Sequence, residues 1–281
     1  MTAVELTPVE AGGSVGFDVA DGVATITLNR PRALNAMNRE VQVQLRAAWL
    51  RVKTDHDIRV AIITGAGDRA FTSGADRGGM DDLPHTAEQR SGRKVVPGSP
   101  GAESDLEQHI APKTIGCWKP VIAAINGIAC GGAFYILGES DILIAADNAT
   151  FFDPHVTFGM VSAYESIHMA QRMPFGEVLR MQLMGSYERL SAARAKEVGL
   201  VSEVVPLPDL LAAAHRVARA IAAQAPGAIQ GTVRAIWATR EQARSVALAM
   251  SPHFLVMADP DEWTAGQKTF SSGDRVEWTL R

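Results

Sequence analysis

The segment VIAAINGIACGGA at residues 121–133 decides the fold, because five apolar residues typical of a buried strand lead into Asn-Gly and then Gly-Gly. A second segment, AFTSGAD at residues 70–76, follows the apolar run RVAIIT at 59–64. Each places glycine where a strand turns into a helix, so that backbone N–H groups are left without a helical partner. Such turns are common singly. Together, two converging turns predict a site for one developing oxyanion.

Around these segments the sequence alternates between strand, turn and helix patterns. Two strand patterns, at 15–19 and 23–28, flank Ala20-Asp21-Gly22, and Asn38 is a plausible N-cap for a helix to about Lys53. Further strands are expected at 141–145 and 150–152. Residues 77–112 are weakly patterned, which is typical of a functional or disordered segment.

After Val205 the pattern becomes helical and rich in alanine, at residues 210–224, 229–240 and 243–250. The sequence therefore predicts an α/β core over residues 1–205 and a helical region over residues 206–281.

Composition excludes several classes of protein. The chain has 281 residues, 47% of them hydrophobic, and a net charge of -4, so neither nucleic acid nor an anionic membrane is an expected partner. An acidic first segment and the lack of a long apolar run favour a cytoplasmic protein.

Cys117 and Cys130 have no CxxC or zinc spacing and are expected to be buried and reduced. No two of the seven histidines have ligand spacing, so no metal is expected.

Five segments together resemble the enoyl-CoA hydratase/isomerase (crotonase) family over nearly the whole chain from about Val15. They are LNRPRALNAM at 28–37, FTSGAD at 71–76, PVIAAINGIACGG at 120–132, SA at 191–192 with EVGLVSEVV at 197–205, and AGQKTF at 265–270.

The resemblance implies an α/β fold, a ClpP-like spiral of ββα turns with a C-terminal helical trimerisation region. It also implies a homotrimer or a dimer of trimers, and an acyl-CoA thioester as the ligand, with CoA part of the substrate and no separate cofactor. By position, the N–H groups of Ala75 and Gly132 would form the oxyanion hole, and Ala33 would line the adenine end of CoA together with nearby arginines. The other candidate substrate contacts are Gly74, Asp76 and Gly131; Asp76 is better explained as the start of a helix than as a direct ligand.

The sequence departs from the family at the two glutamates with which its hydratases hold and deprotonate water. These positions fall on Tyr135 and His155. Tyrosine is a neutral donor at pH 7, whereas histidine, with an ordinary pKa of about 6.5, can act as a base. Glu165, in a region where several relatives carry an acid, is a further candidate base, although an acid at a helix start also favours the helix dipole. His155 could instead be a packed histidine satisfied by Asp153 or by a backbone carbonyl, and Tyr135 a pocket wall.

Two classes of function stay open at this point. The first is an enzyme of the enoyl-CoA hydratase/isomerase type that stabilises a thioester enolate with His155, Tyr135 or Glu165 as the catalytic group. A single base suits isomerisation, thioester hydrolysis or C–C bond hydrolysis better than hydration. The second is a non-catalytic acyl-CoA binding protein. The position of His155, either at the pocket or buried in the core, would distinguish the two.

Overall fold

The computed structural model describes residues 13–76 and 110–273, together with Trp278 and Leu280. The chain divides into two compact units, Met1–Arg219 and Ala220–Arg281. The boundary between them falls inside the helix Leu210–Ala222. In the described residues, no helix combines the length and apolarity needed to cross a membrane.

The first unit contains two sheets of mostly parallel strands. The larger sheet has the order β1-β2-β3-β5-β7-β10 and the smaller has the order β4-β6-β8-β9. The strands are β1 Val15–Ala20, β2 Val23–Leu28, β3 Val60–Gly65, β4 Ala70–Thr72, β5 Val121–Ile125, β6 Ile128–Cys130, β7 Ile142–Ala146, β8 Thr150–Phe152, β9 Leu190–Ser191 and β10 Glu203–Val205. Among the strand pairs of the described residues, β1–β2 and β8–β9 are antiparallel and the others are parallel.

A repeated unit builds both sheets. In three successive pairs, β3 with β4, β5 with β6 and β7 with β8, the first strand lies in the larger sheet and the second, after a short turn, in the smaller. β3 and β5 are buried along their whole length, as expected of parallel strands covered on both faces. This repetition is the ββ spiral that the sequence predicts.

Helices follow or flank these strand pairs in the first unit. They are α1 Arg39–Thr54, α2 Ala133–Glu139, α3 Tyr164–Ala170, α4 Phe175–Met184, α5 Ala192–Glu197 and α6 Leu210–Ala222. Single 3-10 turns occupy Pro31–Ala33, His155–Phe158, Gly185–Tyr187 and Leu207–Asp209. The predicted N-cap of α1 is confirmed, because the side chain of Asn38 accepts the N–H of Val41.

The second unit is helical, as the alanine-rich pattern predicts. It contains α7 Pro226–Glu241, α8 Arg244–Leu255 and α9 Pro260–Ser272. Asp259 caps α9 by accepting the N–H of Asp261. The role of this region in trimerisation stays a prediction.

Two buried asparagines fix the turns at the ends of β3 and β5. The Asn126 carboxamide accepts the N–H of Gly65 at 3.1 Å and donates to the carbonyl oxygens of Gly67 and Ala70. The Asn35 carboxamide donates to the same Ala70 carbonyl at 2.7 Å and to that of Ala66. Because buried backbone groups need partners, these side chains replace ladder hydrogen bonds where the chain leaves the sheets.

Gly65 lies at the centre of this arrangement, and a methyl group there would meet backbone. A Cβ atom built on Gly65 would contact the carbonyl oxygen of Ala70 and lie 2.6 Å from that of Phe71. We expect Gly65→Ala to lower the free energy of unfolding by about 1–3 kcal/mol or more, since the backbone must move. Chemical denaturation measures this change.

The matched control is Gly176→Ala on the exposed first turn of α4, where an added Cβ meets nothing within 4 Å. This variant should match or exceed the parent by up to about 1 kcal/mol, because alanine favours a helix over glycine. Equal losses in the two variants would contradict the steric argument.

Candidate active site

The first candidate donor, the N–H of Ala75, is held beside the loop that precedes α1. Met37 donates its N–H to the Gly74 carbonyl at 2.8 Å, and Asp76 donates to the Met37 carbonyl at 3.2 Å. Neither of these two bonds uses a backbone group of Ala75, which lies between Gly74 and Asp76. The N–H of Ala75 therefore has no acceptor among the described residues.

The second candidate donor, the N–H of Gly132, lies where β6 passes into α2. It too has no acceptor among the residues that the structure describes. A Cβ built on Gly132 would lie 3.5 Å from the nitrogen of Ala75, and one built on Gly74 would lie 3.0 Å from the nitrogen of Gly132. The two turns thus bring these N–H groups next to each other; their role as an oxyanion hole stays a prediction.

Gly74 permits this close approach for two reasons. Its φ of +86° is in the region that favours glycine, and a Cβ there would lie 2.8 Å from the carbonyl oxygen of Cys130. A residue with a side chain at position 74 would therefore push apart the two turns that carry Ala75 and Gly132.

His155 lies against the second turn and is anchored by Asp153. A Cβ on Gly131 would lie 3.7 Å from the Cε1 atom of the His155 ring. The ring Nδ1 is in close contact with Oδ1 of Asp153, which also accepts the backbone N–H of His155 at 2.9 Å. The Asp153 side chain is fully buried, whereas the His155 side chain is 22% exposed. His155 is therefore paired with Asp153, while its ring lies beside the turn at Gly131 and is partly exposed; its catalytic role stays a prediction.

The charges of the pair follow from these contacts. Burial alone would raise the pKa of Asp153, but the hydrogen bonds from His155 and Ser162 outweigh it and lower that pKa. The hydrogen bond to Asp153 raises the pKa of His155, against the opposing effect of burial. Asp153 thus stays a carboxylate, accepts from Nδ1 and directs Nε2 away from itself.

Glu165 completes the cluster from the other side of the ring. Its Oε1 lies 3.6 Å from Nε2 of His155, which is too long for a direct hydrogen bond, and its side chain is 5% exposed. Burial raises the pKa of Glu165, with smaller opposing contributions that include the charge of His155 and a hydrogen bond with Tyr135. Two titratable groups of raised pKa therefore face each other beside the turn at Gly131.

Tyr135, on α2, forms the wall behind Glu165. It is 5% exposed, and its ring stacks with that of Tyr164 at a centroid distance of 5.7 Å. Tyr135 is thus both a hydrogen-bond partner of Glu165 and a packed aromatic ring.

The sequence predicts α3 after Glu165, at 166–173, whereas the helix Tyr164–Ala170 begins earlier and includes Glu165 in its first turn.

The remaining predicted contacts lie outside this cluster. Ala33 is exposed on the turn Pro31–Ala33. Asp76 accepts Nη1 of Arg30 at 2.7 Å, and the segment in which it would start a helix lies outside the described residues, as do residues 77–109 of the weakly patterned stretch. Cys117 and Cys130 are both buried, as expected, and neither forms a disulfide with another described residue.

Sequence reasoning missed Ser162, whose Oγ donates to Oδ2 of Asp153 at 2.7 Å. The short interval between Asp153 and His155 indicates the contact between these two residues, but no local pattern marks a serine nine residues after Asp153.

Asp153, His155 and Glu165 each offer a ligand atom, all within 4.8 Å of one another, and are the group among the described residues that could hold a metal ion. The expectation of no metal stays a prediction.

A comparison with protein families matches residues 18–256 to the enoyl-CoA hydratase/isomerase model. The chain is 34% identical over 260 residues to the (E)-benzylidenesuccinyl-CoA hydratase of Thauera aromatica, covering 91% of this chain and 95% of that protein. It is 30% identical to the mevalonyl-coenzyme A hydratase of Aspergillus fumigatus, covering 98% of each.

Among solved structures, the fold is similar to that of an enoyl-CoA hydratase/isomerase from Mycobacterium paratuberculosis. The TM-score is 0.80 at 35% sequence identity, over 97% of this chain and 100% of that one. The predicted fold class is therefore confirmed.

The Asp153 contact generates a testable expectation for His155. We expect Asp153→Asn to lower the pKa of the His155 imidazole, because the variant loses the charge that stabilises the imidazolium. Histidine-selective NMR titration measures this pKa directly. Asp147→Asn, at an exposed carboxylate, is the control and should leave the His155 titration unchanged. A His155 pKa that did not move in Asp153→Asn would contradict the assigned pairing.

Proposed function

Because the chain belongs to the enoyl-CoA hydratase/isomerase family, we propose that it catalyses the reversible addition of water to an α,β-unsaturated acyl-CoA. The observation that carries this proposal is the placement of His155 and Glu165 on either side of a 3.6 Å gap, next to the two unpaired turn N–H groups. Acyl-CoA hydration is also the activity named for the two curated relatives.

The N–H groups of Ala75 and Gly132 would bind the thioester oxygen. Addition of water at the β-carbon moves negative charge onto that oxygen as an enolate forms. Preorganised backbone donors stabilise such charge in the transition state more than in the substrate, and one donor contributes about 3 kcal/mol.

His155 and Glu165 would supply the two proton transfers. Neutral His155 takes a proton from water at Nε2 while the water oxygen bonds to the β-carbon. Protonated Glu165 then gives its proton to the α-carbon. His155 returns its proton to Glu165, which restores the starting state with one proton on the pair.

This pair would replace the two glutamates whose positions the family resemblance assigns to Tyr135 and His155. A single base suits hydration poorly, but Glu165 provides the second group from α3. Tyr135 would hold the Glu165 carboxyl in place through its hydrogen bond.

The competing functions have less support. A binding protein without catalytic groups does not need a buried acid of raised pKa opposite a partly exposed histidine. Isomerisation or hydrolysis needs one base, so neither requires the pair. The homotrimer or dimer of trimers and the cytoplasmic location stay predictions.

The proposal predicts a ranking of variants on the best substrate in a panel of enoyl-CoAs with short linear, long linear and aryl-substituted acyl groups. His155→Ala and Glu165→Gln should each lower kcat by about 10²–10⁴-fold, since each loses a proton-transfer group. Tyr135→Phe should cost less. Mass spectrometry of the products measures turnover as the gain of one water.

The pH profile of the parent should be bell-shaped, with both limbs belonging to the coupled pair. Activity falls at low pH when the pair takes a second proton and at high pH when it loses its only one. Because both pKa values are raised, the alkaline limb should lie above the ordinary histidine value of about 6.5. Products of unchanged mass would indicate isomerisation instead, free CoA would indicate hydrolysis, and binding without turnover of any thioester would indicate a binding protein.

The oxyanion hole is tested separately at Gly132, whose Cβ would face the Ala75 nitrogen at 3.5 Å and the mobile end of Met37 at 2.9 Å. The φ of -54° accepts alanine, so Gly132→Ala should fold. Alanine keeps the backbone N–H, but its methyl group would occupy the space that the thioester oxygen needs between the two N–H groups, so we expect kcat/KM to fall by about 10²–10³-fold. Gly176→Ala serves as the control for the same chemical change and should keep full activity. An active Gly132→Ala enzyme would rule out this turn as the donor.

A further inference from the structure

The carboxylate of Asp153 is held at both oxygens. Its Oδ1 accepts the backbone N–H and the ring Nδ1 of His155, and its Oδ2 accepts the hydroxyl of Ser162 at 2.7 Å. A fully buried carboxylate without a partner at one oxygen would turn to find one, because leaving it unsatisfied costs free energy. Ser162 therefore fixes the plane in which Oδ1 meets the imidazole.

Ser162 is itself fixed by the helix that carries Glu165. The hydroxyl of Ser166 donates to the carbonyl oxygen of Ser162 at 2.6 Å. Ser166 lies in the first turn of α3, directly after Glu165. The hydrogen-bond chain thus runs from α3 through Ser162 and Asp153 to the ring that faces Glu165.

We propose that Ser162 is a positioning residue that acts through Asp153 to present Nε2 of His155 to the substrate. The catalytic consequence rests on the proposed function, in which His155 is the base. Since the hydroxyl is anchored at the start of α3, the same turn sets the position of both the base and the acid. A shift of one group relative to the other by about 1 Å is enough to cost about 10²-fold in rate.

The hydroxyl acts on two measurable properties besides rate. It stabilises the charged form of Asp153, so its removal should raise the pKa of that carboxyl. It also keeps Oδ1 on Nδ1, which holds neutral His155 in the tautomer with its proton at Nδ1. Carbon-detected NMR of aspartate and nitrogen shifts of histidine report these properties in the full-length protein without any substrate.

The test uses Ser162→Ala, Ser162→Thr and a control, Ser202→Ala, which removes a hydroxyl that donates to the Leu143 carbonyl. In Ser162→Ala we expect a raised Asp153 pKa, a mixed His155 tautomer and a loss of about 10–100-fold in kcat with KM nearly unchanged. Ser162→Thr keeps the hydroxyl and should restore all three properties. Ser202→Ala should resemble the parent.

The outcomes separate this inference from the proposed function. Unchanged Asp153 and His155 signals in Ser162→Ala, or equal losses in Ser202→Ala, would overturn the positioning role even if His155→Ala abolishes turnover. Altered NMR signals with full kcat would overturn the catalytic consequence and the assignment of His155 as the base. If Ser162→Ala does not fold, parent-like NMR signals and kcat in Ser162→Thr support the positioning role, and their loss in that folded variant overturns it.

Discussion

The close approach of two backbone turns is the constraint on which the rest of the site depends. The turns after β4 and β6 lie so near each other that a single methyl group on Gly74 would meet the backbone at Cys130 and Gly132. Their N–H groups are left without acceptors among the described residues because the neighbouring hydrogen bonds skip them. Buried asparagines at 35 and 126 supply the missing ladder bonds beneath the turns, so this geometry does not leave those carbonyls unsatisfied.

The second feature of the site is a set of three neighbouring titratable groups, Asp153, His155 and Glu165, whose pKa values are all shifted. The pKa of Asp153 is lowered because its hydrogen bonds outweigh the effect of burial, burial raises the pKa of Glu165, and His155 lies between them. Two carboxyl groups in different surroundings thus have pKa values shifted in opposite directions, which is how one site can hold both a base and an acid. The hydrogen bonds from Ser166 to Ser162 and from Ser162 to Asp153 link these groups to α3, the helix that carries Glu165.

Much of the fold was predictable because its signals are local. The Asp-Gly turn between β1 and β2, the cap at Asn38 and the apolar runs of β3 and β5 each lie within a few residues. The start of α3 was predicted too late, because no capping side chain marks it: the residue before Tyr164 is alanine and makes no side-chain cap. Ser162 carried no local signal, since its partner lies nine residues away across a turn.

The sequence by itself determined the strand and turn segments, the family resemblance and the candidates Ala75, Gly132, Tyr135, His155 and Glu165, because residue type and spacing encode backbone geometry and available chemistry. Only the tertiary structure decided which candidates lie together. It placed Glu165 on one side of the His155 ring and Asp153 on the other. As a result, the pKa of the Asp153 carboxyl is lowered and that of the Glu165 carboxyl is raised. The physical reason is that burial and hydrogen bonding, which set proton affinity, arise only when separate segments pack together.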